Sequence, residues 1–188
     1  MSPAIIVIIA VVVVLLFIYG VSQQRTLVKY DEMVNNSMSN INVQLKSRWD
    51  AVLALVKMTK GYSEYEHNAM MDIISQRRIT EISKPEQVAD QAAAIGQVLT
   101  RFFAVSEQYP DLKAASLYSD TMKQMVNFEE KVRISRMVYN DTVTKLNNVV
   151  RQFPSNLIAG MLGYGVRKYI EEDPQKMNYP DISSVLNK

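Results

Sequence analysis

The 188-residue sequence contains no cysteine. That removes disulfide frameworks, thiolate metal sites, thiol nucleophiles and lipid-modified cysteines together. Histidine occurs once, at position 67, so any histidine-based hydrolase triad would have to use that residue. No G-x-S-x-G elbow and no glycine-rich phosphate loop occurs, which leaves enzymatic activity without a motif. Charge of either sign is scarce in excess: 21 Lys and Arg stand against 19 Asp and Glu. A net charge of +2 makes no large field for nucleic acid or an acidic partner, and no nucleic-acid partner is expected. Glycine and proline number six each and gather at the ends and joints of the chain after residue 22, which leaves long segments free to be helical.

What is present in excess has an address. Residues 4–21 are apolar except Gly20, and the first charged side chain is Arg25. A helix of this length rises about 27 Å, close to the ~30 Å hydrocarbon thickness of a bilayer. A cleaved secretory signal is the rival reading. Against it, no Lys or Arg precedes the run, and only Gly20-x-Ser22 resembles a cleavage site; a retained transmembrane anchor is expected over residues 1–24. Arg25 and Lys29 follow the span, so the positive-inside bias places the folded domain in the cytoplasm.

From residue 25 to 153 the spacing predicts only helices. A first stripe carries Val34, Met38, Ile41, Leu45, Val52, Leu55 and Thr59, widened by Trp49 and Val56 and closed at Gly61. Ser63-x-x-Glu66 has the form of a capping box before a second helix with Tyr65, Ala69, Met70, Ile73 and Ile74 on its apolar face. A third starts at Ser83-x-x-Glu86, with Pro85 in its first turn, and aligns Val88, Ala92, Ile95, Leu99 and Phe102. Tyr109-Pro110 breaks the chain. The longest segment, Leu112 to Gln152, then carries a stripe from Tyr118 through Thr121, Met125, Phe128, Val132, Ser135, Tyr139, Val143, Leu146 and Val150 to Phe153. The expected fold is all-α: an N-terminal transmembrane helix, then an antiparallel up-and-down four-helix bundle. Residues 154–188 form an apolar short helix followed by an irregular tail over the last twenty residues.

Helical bundles can house di-iron sites built from two Glu-x-x-His pairs. Glu64-x-x-His67 supplies one pair, and a second cannot be built from a chain with one histidine. A metal-binding or enzymatic bundle using Glu64, Glu66 and His67 is therefore the alternative to a chain with no cofactor, metal or catalytic site. Lys46, Arg48 and Trp49 could form a cation-and-aromatic surface. The stronger reading places Trp49 in the core with Tyr139 and Phe153, and turns Lys46 and Arg48 outward or toward acids of an adjacent helix. Glu129 and Arg136 share one side of the last helix and can pair with charges from the first, fixing register.

These residues resemble the LemA family of bacterial membrane proteins. The resemblance is carried by the run Asn42 to Asp50 with Leu53, Leu55-Val56 and Lys60-Gly61-Tyr62, by Tyr109 to Lys113, by Glu129, Arg136 and Tyr139-Asn140-Asp141, and by Phe153 to Gly160 with Gly163-Tyr164. It departs at Tyr65-Glu66, where the family usually has His-Glu, and at Phe128-Glu129-Glu130, where it has Thr-Glu-Asn. The resemblance implies an N-terminal anchor and a four-helix bundle at the bacterial inner membrane. It also implies company: family members include magnetosome membrane proteins, and others are associated with membrane metalloproteases, without a shared biochemical activity.

The expectation is thus a scaffold or adaptor that binds itself, as a homo-oligomer, or another membrane protein. An alternating bundle returns its fourth helix to the anchor, which puts Phe153–Gly165 near the bilayer. Leu157, Ile158, Met161 and Leu162 would then share one side of a helix started by Pro154, with Arg151, Arg167 and Lys168 as anionic-lipid contacts. The same apolar residues could instead plug the open end of the bundle.

Overall fold

The computed structural model of the chain describes residues 2–77 and 82–171. Among these the regular structure is entirely helical: α1 (Pro3–Met58), a 3-10 turn (Thr59–Gly61), α2 (Glu64–Arg77), α3 (Pro85–Gln108), α4 (Pro110–Ala114), α5 (Ser116–Arg151) and α6 (Ser155–Met161). The irregular tail expected at the end of the chain lies outside the described residues from 172 onward. Two compact units are present, one of Met1–Ser37 with Tyr139–Tyr169 and one of Met38–Val138 with Ile170–Lys188. The boundary expected at residue 24 falls inside α1, which has no proline or glycine there to interrupt it.

In the second unit the contacts alternate as an up-and-down arrangement requires. Asn42 and Trp49 of α1 meet Ile82 and Gln91 in increasing order, so α1 and α3 run the same way. Glu66 at the start of α2 meets Arg101 late in α3, and Phe102 of α3 stacks on Tyr118 at the start of α5, ring centroids 5.8 Å apart. The α2 and α5 helices therefore run against them. Every apolar stripe position expected on α1 and α3 is buried, as is Thr59. Burial of these stripes, each large side chain contributing about 1.5–3 kcal/mol, holds helices that would be marginal alone.

Local chemistry sets the joints. Ser63 Oγ accepts from the Glu66 N–H at 3.5 Å, a weak cap for α2. At α3 the expected Ser83 cap is displaced by one residue. Lys84 is the N-cap, Pro85 takes the first helical position, and Gln87 Oε1 accepts from the Lys84 and Ser83 N–H groups, 2.9 Å each. Tyr109 stands between helices at φ −123°, ψ 87°, as a residue before proline must. The long segment expected from Leu112 breaks once more, at Ala115 with φ −65° and ψ 132°, because the single turn of α4 ends before α5 begins. Gly96 departs from the confinement of glycine to joints: it is buried inside α3. Tyr65, expected on the apolar face of α2, is exposed, while Met70 and Ile74 carry that face.

In the first unit α1 begins bare. Residues 2–18 are all exposed, burial starts at Tyr19, Gly20 and Val21, and Leu27 is completely enclosed. The exposed stretch is long and apolar enough to cross a membrane. The same unit holds the end of α5, where Tyr139, Val143 and Leu146 are buried.

Candidate functional site

The first unit is closed by a short cap and an extended strap. The cap is α6. Ser155 Oγ lies 2.7 Å from the Val149 carbonyl and 2.8 Å from the Gln152 carbonyl, which fastens α6 to the end of α5. Its C-terminus is a Schellman turn: the Tyr164 N–H donates to Ala159 O and the Gly163 N–H to Gly160 O. Gly163 sits at φ +76°, the left-handed conformation that a side chain would strain.

Beyond that turn the chain doubles back along α5 as a strap. Asn147, buried on α5, reads the backbone of Arg167 at both ends. Its amide donates to Arg167 O at 3.0 Å and its carbonyl accepts the Arg167 N–H at 2.8 Å. Tyr139 Oη donates to Lys168 O at 3.2 Å, and the Arg167 guanidinium reaches Asp31 of α1 at 2.7 Å. Arg167 thus links Asn147 of α5 to Asp31 of α1. The α6 cap belongs to the same compact unit as residues 19–21, the first part of α1 that is covered at all.

The exposed surface of this cap is apolar. Phe153 is 76% exposed, Leu157 59% and Met161 88%, and Leu162 is exposed as well. Ser155 and Ala159 face inward and Ile158 is half-buried. Two sequence expectations change here. Phe153 is not core, because α5 ends at Arg151 and the following turn carries Phe153 off the packed stripe. Ile158 turns toward the protein instead of sharing the outer face with Leu157 and Met161, which stand four residues apart on one side of a 3.6-residue turn. Trp49 and Tyr139, by contrast, are 2% and 3% exposed.

The basic side chains near the cap divide into two sets. Arg167 is held by Asp31, and Lys145 by Asp141 at 2.6 Å. That hydrogen bond keeps the Lys145 ammonium above its ordinary pKa range. Arg25, Lys29, Arg151 and Lys168 are exposed. Residues 1–37 and 139–169, which form this unit, together contain six Lys and Arg against three acids, Asp31, Glu32 and Asp141.

The second unit contains a buried polar cluster. Trp49 Nε1 donates to Gln91 Oε1 at 2.8 Å with both side chains buried. Arg48, expected at the surface or paired, is buried, with Nη2 3.7 Å from the half-exposed Glu129 carboxylate. Arg136 makes no such pairing with the first helix; its guanidinium donates to Glu171 O at 3.1 Å. Asn42 repeats the device of Asn147, donating to Ile82 O at 2.7 Å and accepting the Ile82 N–H at 3.0 Å. Reasoning from the sequence missed both asparagines. The signal was an amide beside buried Ile41 or Leu146, where a side chain must find partners.

Glu64, Glu66 and His67 do not converge. The Glu66 carboxylate is 3.1 Å from Arg101, and His67 Nδ1 is 3.0 Å from the Val56 carbonyl, to which it can only donate. His67 therefore ties α2 to the end of α1. Among the described residues no three His, Cys, Asp or Glu side chains are grouped to hold a metal.

Comparison with known proteins gives a consistent relation. The LemA family profile matches residues 37–183. The magnetosome protein MamQ 2 of Paramagnetospirillum magneticum is 23% identical over 177 residues, covering 80% of this chain and 65% of that protein. Protein LemA of Metamycoplasma hominis is 26% identical over 151 residues, covering 78% of this chain and 67% of that protein. The chain thus spans just under two thirds of the length of the MamQ relatives it matches.

Proposed function

This chain belongs to the LemA family, and from that premise we propose that it is a membrane-anchored scaffold or adaptor of the bacterial inner membrane. In this reading residues 1–24 hold the chain in the bilayer, the helical domain is cytoplasmic, and it binds a second copy or another membrane protein without catalysing a reaction. A membrane metalloprotease system and, by analogy with the names of the MamQ relatives, a magnetosome-like membrane assembly are settings for such an adaptor. The observation that carries the reading is the single helix α1. Its residues 4–18 are bare and apolar, while its later residues enter the buried core of each compact unit. Membrane attachment and the folded domain thus share one element.

A partner-binding role is further supported by α5. Ile134, Met137 and Val138 are exposed at positions i, i+3 and i+4, so one helix face presents adjoining apolar side chains. Photo-crosslinking in native membranes tests the function. A photoreactive residue at Met137 is expected to give a discrete adduct, to itself or to another membrane protein, that the same residue at exposed Lys123 does not give. Retention of the chain in carbonate-washed membranes is expected alongside. Release of a chain lacking residues 1–24 into the soluble fraction would show a cleaved signal instead. Stoichiometric iron, manganese or zinc in the purified protein would overturn the adaptor reading in favour of a metal-binding bundle.

A further inference from the structure

We propose that the α6 cap is a second, interfacial contact with an anionic bilayer, made in addition to the spanning helix. The proposal rests on the membrane-anchor reading above and adds a site to it. Phe153, Leu157, Met161 and Leu162 enter the boundary between headgroups and acyl chains, and Arg151, with Arg25 and Lys29 on α1, contacts acidic headgroups.

Three observations select a bilayer as the occupant. The first is continuity. The apolar surface of α1 is bare through Ile18 and becomes half-covered from Tyr19, and the cap belongs to the unit that covers it. The exposed side chains of α6 thus belong to the same compact unit as the end of the apolar stretch of α1. The second is charge. The unit that holds the cap carries six basic side chains against Asp31, Glu32 and Asp141, a net +3 within a protein whose total is only +2. An apolar surface bordered by an excess of bases fits a leaflet of acidic lipid. The third is construction. Asn147, the Arg167–Asp31 pair and the Schellman turn at Gly163 hold the strap and the cap in place. The exposed side chains are thus presented by a fastened element, with Ser155 and Ala159 as its inward side.

The plug expected from the sequence accounts for Ile158 and Ala159 alone. A plug would bury the large side chains, whereas Met161 is 88% exposed. Arg167, also expected at the lipid surface, is committed to Asp31. The headgroup contacts consequently fall to Arg151, Arg25 and Lys29.

The absence of cysteine permits a direct test on the full chain. Single cysteines at Ile9, Lys123, Leu157 and Met161 are labelled with a nitroxide, and each protein is reconstituted in phosphatidylcholine vesicles containing phosphatidylglycerol. Accessibility to oxygen, which partitions into lipid, is compared with accessibility to a water-soluble nickel chelate. The expected result is an oxygen-to-nickel ratio at Leu157→Cys and Met161→Cys several-fold above that at Lys123→Cys and below that at Ile9→Cys. In phosphatidylcholine alone, or with Arg151→Gln, the ratio at Met161→Cys is expected to fall toward that of Lys123→Cys. Nickel-accessible labels at Leu157 and Met161 would overturn the proposal, as would labels inaccessible to both reagents, which would reveal protein covering the cap. An unchanged ratio without anionic lipid would overturn the headgroup contacts. A water-exposed label at Ile9 would instead refute the anchor itself. Both cap positions are exposed enough that the substitutions leave the fold intact, and the far-ultraviolet circular dichroism of each variant checks this.

Discussion

Replacing Trp49 tests the core of the second unit at its largest fully buried side chain. An aromatic side chain of this kind buries about 150–250 Å², which at roughly 25 cal/mol per Å² corresponds to about 4–6 kcal/mol of transfer free energy. Measured truncations of buried aromatics fall at about 3–5 kcal/mol, and Trp49→Ala is expected in that range. The indole also donates to Gln91 at 2.8 Å in a buried pair. Trp49→Phe keeps most of the packing and removes this donor, so its expected cost is smaller, about 1–3 kcal/mol. A cycle with Gln91→Leu should show a coupling near 1 kcal/mol, since the two side chains touch. Urea unfolding of the detergent-solubilised chain, followed by helix circular dichroism because the only tryptophan is lost, reads all three. An unchanged midpoint for Trp49→Ala, combined with loss of the Met137 crosslink, would refute the reasoning and make Trp49 a partner contact.

Asn147→Ala removes both hydrogen bonds to the Arg167 backbone and is expected to cost about 2–3 kcal/mol; hydrogen exchange should accelerate over residues 164–171 while the α2 and α3 amides stay protected. Gly163→Ala forces a side chain into φ +76° and is expected to cost about 1–2 kcal/mol, read as a lower unfolding midpoint and faster exchange at the Tyr164 amide. Deleting residues 1–24 should leave a soluble helical domain, since the remaining stripes are buried within the protein; a product that is helical only in detergent would show that the fold depends on the bilayer.

The helices were legible wherever a stripe of large apolar side chains repeats at helical spacing. On α1, ten residues from Leu27 to Thr59 that share such a spacing are all buried, and on α3 every stripe residue is. The periodicity loses its meaning at ends. Tyr65 and Phe153 kept the phase of the stripes beside them, yet both are exposed, one in the first turn of α2 and the other in the turn after α5, where among the described residues no side chain covers them. The break at Ala115 was invisible for a related reason. Alanine is the strongest helix former, so its extended conformation comes from the joining of α4 to α5 and not from its own preference.

The site was legible in composition and hidden in connection. The apolar residues of the cap could be named from the sequence alone. Which of them face outward depended on Ser155 and Gly163, whose hydrogen bonds and left-handed turn set the rotation of α6. The strap was hidden more completely, because its partners are single side chains and not a repeating pattern. Asn147 satisfies the N–H and C=O of Arg167 as a neighbouring strand would, and Asn42 does the same for Ile82. An extended segment packed on a helix has backbone groups that must be paired when buried, and helices offer no free backbone groups along their sides. A buried asparagine is one of the few side chains with both a donor and an acceptor in one plane to meet that demand. An amide on the buried side of a predicted helix therefore identifies a place where non-helical chain is held against it. In this protein those places are the strap beyond the α6 cap, held by Asn147, and the segment before α3, held by Asn42.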